Sequence, residues 1–171
     1  MKELRTYDES IARFGASQRT VRPLLLSWDL FSMHLQKVFG NTADVRQLAS
    51  MAQQHHWNFN FETVRDLSYD TVIVVTDAQV NIVFATQNVT GMTGYEPSEM
   101  IGKSPKMFQG QATSKTTTKT IRSAISNAQP FETTVVNYRK DGTPYDCAIR
   151  SYPIFDVKGR LSHFIAFENA A

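Results

Sequence analysis

Apolar residues recur along this chain at two periods, first helical and then strand-like. Leu24, Trp28, Phe31, Leu35 and Val38 follow one another at spacings of three or four, and Leu26, Leu30 and Met33 widen the stripe. The spacing predicts a helix that opens at Pro23, whose fixed φ suits a first turn, and closes at Gly40. Asn41 or Thr42 then caps a second helix running to about His56, with Val45, Leu48, Ala49 and Ala52 on one face. The two helices are expected to form a hairpin. Phe59, Phe61, Val64 and Leu67 suggest a short third helix or turn, and Met1 to Thr20 is polar with only a weak helical pattern.

The period changes near Asp70. Thr71 to Thr76 is short and β-branched, as a buried strand should be. A turn at Asp77-Ala78-Gln79 leads to a partner strand over Asn81 to Ala85. Asn88 to Gly94 and Pro97 to Ile101 read as short helices. Ser114 to Ala128 reads as a longer one, with Thr118, Ile121, Ala124 and Ile125 inward and Pro130 as its stop. Phe131 to Tyr138 is a strand, Asp141-Gly142 a hairpin turn, Tyr145 to Tyr152 the return strand, and Arg160 to Glu168 the last strand after a turn at Asp156 to Gly159. The fold class is α+β: a five-stranded antiparallel sheet with short helices on one face, preceded by a helical extension. The hollow between sheet and helices is the natural place for a ligand. The boundary is drawn between Ser68 and Tyr69, giving an extension over 1–68 and a second unit over 69–171.

Composition changes this picture little. A chain of 171 residues fits one domain plus an extension, or two small units. With 18 basic and 16 acidic side chains, the net charge of +2 gives no argument for a nucleic-acid partner or a membrane surface. The longest apolar run is too short to span a bilayer, and the first residues, Met-Lys-Glu-Leu-Arg, lack the apolar core of a signal peptide. One cysteine, Cys147, excludes an internal disulfide and fits a reducing compartment, so a cytoplasmic protein is expected.

Candidate catalytic chemistry is sparse. His55 and His56 are adjacent, so on a helix they do not face the same way, and no cysteine or acidic cluster completes a metal site. His34 and His163 are isolated. No nucleophile–base constellation, phosphate-cradling glycine loop or zinc spacing is present, and no enzyme activity is expected. The one rival worth stating is Glu168 acting as a base beside Cys147 on a neighbouring strand.

Longer motifs carry a family resemblance. Thr93-Gly94-Tyr95 with Glu99-Met100-Ile101-Gly102, Phe108-Gln109-Gly110, Thr120 to Ile125, Asn137-Tyr138-Arg139-Lys140-Asp141-Gly142-Thr143-Pro144, Pro153-Ile154-Phe155-Asp156 with Gly159, and Phe164-Ile165 stand in the order and spacing of a PAS domain. They resemble the LOV (light-oxygen-voltage) branch, the flavin-binding blue-light receptors. In that branch a segment reading GRNCRFLQG supplies the cysteine that attacks the excited flavin; here it reads GKSPKMFQG, with Pro105 at the cysteine position. Proline has no nucleophile, so cysteinyl adduct chemistry is not expected. The resemblance implies that two asparagines and a glutamine meet the flavin ring edge. Asn137 is retained, Cys147 stands at the second asparagine, and Glu168 stands at the glutamine. A carboxylate cannot donate unless protonated, so Glu168 is expected either to have a raised pKa or to repel an electron-rich carbonyl. At the phosphate end Lys106 stands where the family has arginine, while Gln109 and Arg122 match, and the two cations could hold a phosphate or carboxylate. The cargo is therefore open: flavin mononucleotide (FMN), another small molecule, or the domain's own side chains.

The expected function is a sensory and signalling module that works by regulated protein–protein contact. The alternatives are a flavin-binding redox or photoreduction sensor and, further off, a small-molecule-converting enzyme. No output module follows the last strand in this sequence, so output is expected through the first seventy residues or the exposed sheet face. Trp28, Phe31 and Met33 suit an interface, and a homodimer through the amino-terminal helices and the sheet face is expected, beside a signalling protein as partner. The competing expectation is that these helices fold back over their own sheet.

Overall fold

The computed structural model describes residues 43–59, 68 and 70–171. The helix expected over Leu24 to Phe39 and most of the turn expected around Phe61 lie outside the described residues.

Helix α1, Ala43–Gln54, buries Val45, Leu48 and Ala52. It ends two residues before the expected His56. His56 takes a left-handed φ of 50°, which turns the chain out of the helix, and the next two residues form a strand, β1 (Trp57–Asn58). Strands β2 (Val72–Asp77) and β3 (Ile82–Ala85) follow. Next come helices α2 (Val89–Thr93) and α3 (Pro97–Met100), a 3-10 turn (Pro105–Phe108) and helix α4 (Lys115–Ser126). The chain closes on β4 (Phe131–Tyr138), β5 (Pro144–Asp156) and β6 (Leu161–Ala170). The β-branched run, the Asp141-Gly142 turn and the Asp156 to Gly159 turn thus fall where the sequence puts them.

The strands pair antiparallel in the order β1-β5-β6-β2-β3, with β4 also on β5. Five strands were expected; the sixth is β1, too short to show a period of two. Strand β5 runs through Pro153 and beyond the expected Tyr152. On its outer edge β4 pairs as far as Ser151 and β1 begins at Phe155, so the proline sits in the gap between them.

The sheet has two apolar faces. On the outer face, Val45, Leu48, Ala52 and Trp57 pack against Ile73, Val75, Phe84, Ile154, Ile165 and Phe167. On the inner face, Val72, Val74, Ile82, Val135, Tyr145 and Cys147 pack with Val89, Met92, Met100 and Phe108 from the helical segments. Helix α4 buries no residue fully; Ile121, Ala124 and Ile125 are half-buried because they roof a hollow rather than a solid core. Among the described residues, no helix is long and apolar enough to cross a membrane.

Candidate functional site

The hollow between the inner sheet face and the helices is a cavity of about 340 Å³. The sheet register decides which side chains line it. Residues directly opposite one another share a face, so Val74 opposite Ala166, Thr76 opposite Phe164, and Ile149 opposite Glu168 give one continuous wall. Strand β4 adds Val135 and Asn137, and α4 supplies Ile121, Arg122 and Ile125 as the roof.

The 3-10 turn closes a third side. Ser104 caps it, its hydroxyl accepting from the Lys106 amide at 3.4 Å, and Pro105 occupies the first helical position, where a missing N–H costs nothing. Pro105 and Phe108 face the cavity, and Lys106 and Gln109 stand at its exposed rim. The following loop is pinned to β4. Thr113 Oγ1 donates to the Val136 carbonyl at 2.7 Å, and the Ala112 amide donates to the Tyr138 hydroxyl at 2.8 Å. Gly110 lies flat on the Tyr138 ring; a Cβ there would come within 2.5 Å of it.

Five of the six residues expected to bind a ligand line this one cavity: Lys106, Gln109, Arg122, Asn137 and Glu168. Cys147 does not. It is 0% exposed, behind the wall, with its thiol donating to Glu168 Oε2 at 3.7 Å. It shares the inward-facing stripe but belongs to the packed inner cluster with Val72, Val135 and Tyr145. Cys147 thus meets Glu168 rather than the cavity itself.

Burial governs the electrostatics. Glu168 is pushed up from 4.5 to about 7 by desolvation, which the Cys147 hydrogen bond only partly offsets. The Cys147 thiol is itself driven well above its ordinary value, first by burial and then by the neighbouring Glu168. The Tyr145 phenol is raised for the same reasons, with Arg139 stacked 4.5 Å over its ring. A buried thiol held in its neutral form is neither a nucleophile nor accessible, so Cys147 offers no nucleophilic chemistry to the cavity. At the rim, Lys106 and Arg122 are exposed, and among the described residues neither forms an ion pair.

The sequence reading missed Thr76. It is 7% exposed and lines the cavity, and its hydroxyl has no hydrogen-bond partner among the described residues. A buried hydroxyl without a partner costs about 1–3 kcal/mol, so it is a polar point awaiting one. Its position in a β-branched run gave no signal; only the β2–β6 register shows that it shares a face with Glu168.

Comparison with known proteins agrees with this architecture. The family profile described as "PAS domain" matches residues 70–169. A blue-light-activated histidine kinase of Brucella canis is 33% identical over 85 residues, which is 50% of this chain and 17% of that protein. Protein TWIN LOV 1 of Arabidopsis thaliana is 32% identical over 111 residues, 63% of this chain and 27% of that one. The chain thus spans well under a third of the length of either relative. Among solved structures, the light state of the blue-light photoreceptor Aureochrome1 LOV superposes with a TM-score of 0.56 at 26% identity, covering 58% of this chain and 80% of that one. The LOV domain of the Erythrobacter litoralis EL346 blue-light-activated histidine kinase gives a TM-score of 0.55 at 22% identity, over 58% of this chain and 94% of that one.

Proposed function

From the premise that the chain belongs to the PAS domain family, with LOV domains among its relatives, we propose that it is a sensory module that signals through regulated protein–protein contact, without cysteinyl-flavin chemistry. One observation carries this reading. The cavity wall presents Pro105 where adduct formation needs a thiol, while Cys147 is buried outside the lining. The relatives' blue-light responses are properties of those proteins; here the cavity is the sensing site and its cargo sets the stimulus.

The LOV likeness implies FMN, and the residues fit it at one end only. Lys106, Gln109 and Arg122 suit a phosphate at the rim. At the ring end, Glu168 can donate to a flavin carbonyl only while it is protonated and opposes it once ionised, and Cys147 lies outside the lining. The second reading, a flavin-binding redox sensor, keeps its support from the convergence of Asn137 with the three rim residues on one cavity.

The unit over 69–171 is the sensor, and 1–68 is the extension that transmits or caps. Helix α1 already covers part of the outer sheet face. A homodimer through the amino-terminal helices and that face, in a cytoplasmic protein, completes the proposal; sedimentation that gives a monomer at every concentration removes the dimer. The cargo and the photochemistry are tested by absorption of the purified protein in the dark and after blue light. A colourless protein, or a flavin band without a long-lived adduct, supports the reading, and an adduct overturns it.

A further inference from the structure

Glu168 is the least ordinary group in the cavity. A carboxylate has about four acceptor positions, and among the described residues one donor alone, the Cys147 thiol, reaches this one. It lines the cavity and is nonetheless 9% exposed. What it lacks is a pair of donors, and none of its neighbours in the cavity wall supplies one. The matching ligand edge is therefore a donor–donor edge, since two parallel N–H groups meet a carboxylate in bidentate fashion. An acceptor–donor–acceptor edge, such as that of a flavin, leaves carbonyl oxygens against the ionised carboxylate.

The other features give the ligand's shape. A slot between a sheet and a helical roof, walled by Ile149, Phe108 and Ile121, suits a flat ring. Thr76, the orphaned hydroxyl, lies on the same face as Glu168 but four residues along in register, a strand distance of roughly 13 Å. A molecule that reaches both is polar at each end. The exposed cations Lys106 and Arg122 at the rim call for an anionic group.

We propose that the cavity takes a planar nitrogen heterocycle of the 2-amino-oxo class, the edge shared by guanine and the pterins, with its adjacent N–H and NH2 donors on Glu168 and an anionic tail at Lys106 and Arg122. This rests on the reading of the cavity as the sensing site of a PAS module and names its ligand class. Binding two donors replaces the water that Glu168 loses on burial, so occupancy also favours its ionised form.

The test is calorimetric titration of the full chain with four probes: GMP, neopterin phosphate, AMP and FMN. AMP carries the same phosphate as GMP but shows a donor beside an acceptor. GMP or neopterin phosphate is expected to bind at least tenfold more tightly than AMP, and whichever of the two is tighter identifies the source. Glu168→Gln, checked for an intact melting transition, should lose at least tenfold for that probe and leave AMP unchanged, whereas Arg122→Gln should weaken every phosphorylated probe. Tighter binding of FMN than of either donor-edge probe overturns the proposal, as does equal binding of all four or binding of none. Binding of none leaves the sensory reading standing, with a self-filled cavity, whereas a light-driven adduct overturns that reading itself, so the two failures are distinguishable.

Discussion

The Cys147 thiol donates to Glu168 Oε2 across 3.7 Å, and both groups are buried in the sheet wall of the cavity. The pair makes the carboxylate a proton-linked element of the fold. Its folded pKa of about 7 stands above the ordinary 4.5, so between those values the folded chain holds a proton that the unfolded chain has released. Stability from this group is fully present below pH 4.5 and is lost as pH rises to about 7. Glu168→Gln carries no such charge. It should therefore stabilise the protein at pH 8 relative to wild type, by an amount on the order of 3 kcal/mol, and make little difference at pH 4.5. Urea unfolding at the two pH values checks this; an equal effect at both would show that Glu168 does not titrate in the folded state.

The same pair governs thiol reactivity. Cys147 is buried, and its pKa is raised by burial and by Glu168. Iodoacetamide at pH 7.5 should leave the native protein unlabelled on a timescale that modifies the urea-unfolded chain completely. Rapid native labelling, followed by intact mass, would place Cys147 at an accessible surface.

A second titrating centre lies on the opposite sheet face. Trp57 Nε1–H donates to His163 Nδ1 at 3.1 Å, and the His55 ring stands 4.5 Å away edge-on. Burial, and then the nearby His55, lower His163 from 6.5 to about 4, against a smaller opposing pull from Asp77. The unfolded chain takes up this proton first, so the stability contributed here is full above pH 6.5 and falls as pH drops toward 4. Glu168 acts in the opposite sense in the same window. The acid-side loss should therefore stand out in the Glu168→Gln background and flatten when His163→Gln is added. An unchanged acid slope in the double variant would assign the loss to other groups.

The cavity rim depends on a close backbone approach. A methyl at Gly110 meets Tyr138 Cε2 at 2.5 Å and Cδ2 at 2.6 Å, and the ring cannot yield without losing its hydroxyl's bond to the Ala112 amide. Gly110→Ala should cost about 1–3 kcal/mol. Pairing it with Tyr138→Ala, which removes the obstructing ring, should bring the cost of the glycine change near zero. A full cost in both backgrounds would mean that the clash is not the cause.

The readable parts of this fold were those with a local cause. The β-branched run at Val72, the Asp141-Gly142 turn and the Pro130 stop each act within a few residues, and the strands and helices stand where they point. Two residues of β1 carry no period, and their pairing with Phe155 and Asp156 is nonlocal, so that strand was invisible. The site divides in the same way. Lys106, Gln109, Arg122, Asn137 and Glu168 were located by motif position and converge on one cavity. Thr76 needed the β2–β6 register, and Cys147 needed the tertiary packing as well as strand parity, because it faces the cavity side yet sits within the packed inner cluster.

The most direct test of a sensor that works without adduct chemistry is the blue-light difference spectrum of the purified chain mixed with excess FMN. With Pro105 in the wall and Cys147 sealed outside the lining, the spectrum should match that of free FMN under the same light and show no slowly recovering loss of the flavin band. Bleaching of that band followed by slow dark recovery would mean that a thiol reaches the flavin, and would contradict both the placement of Cys147 and the function proposed from it.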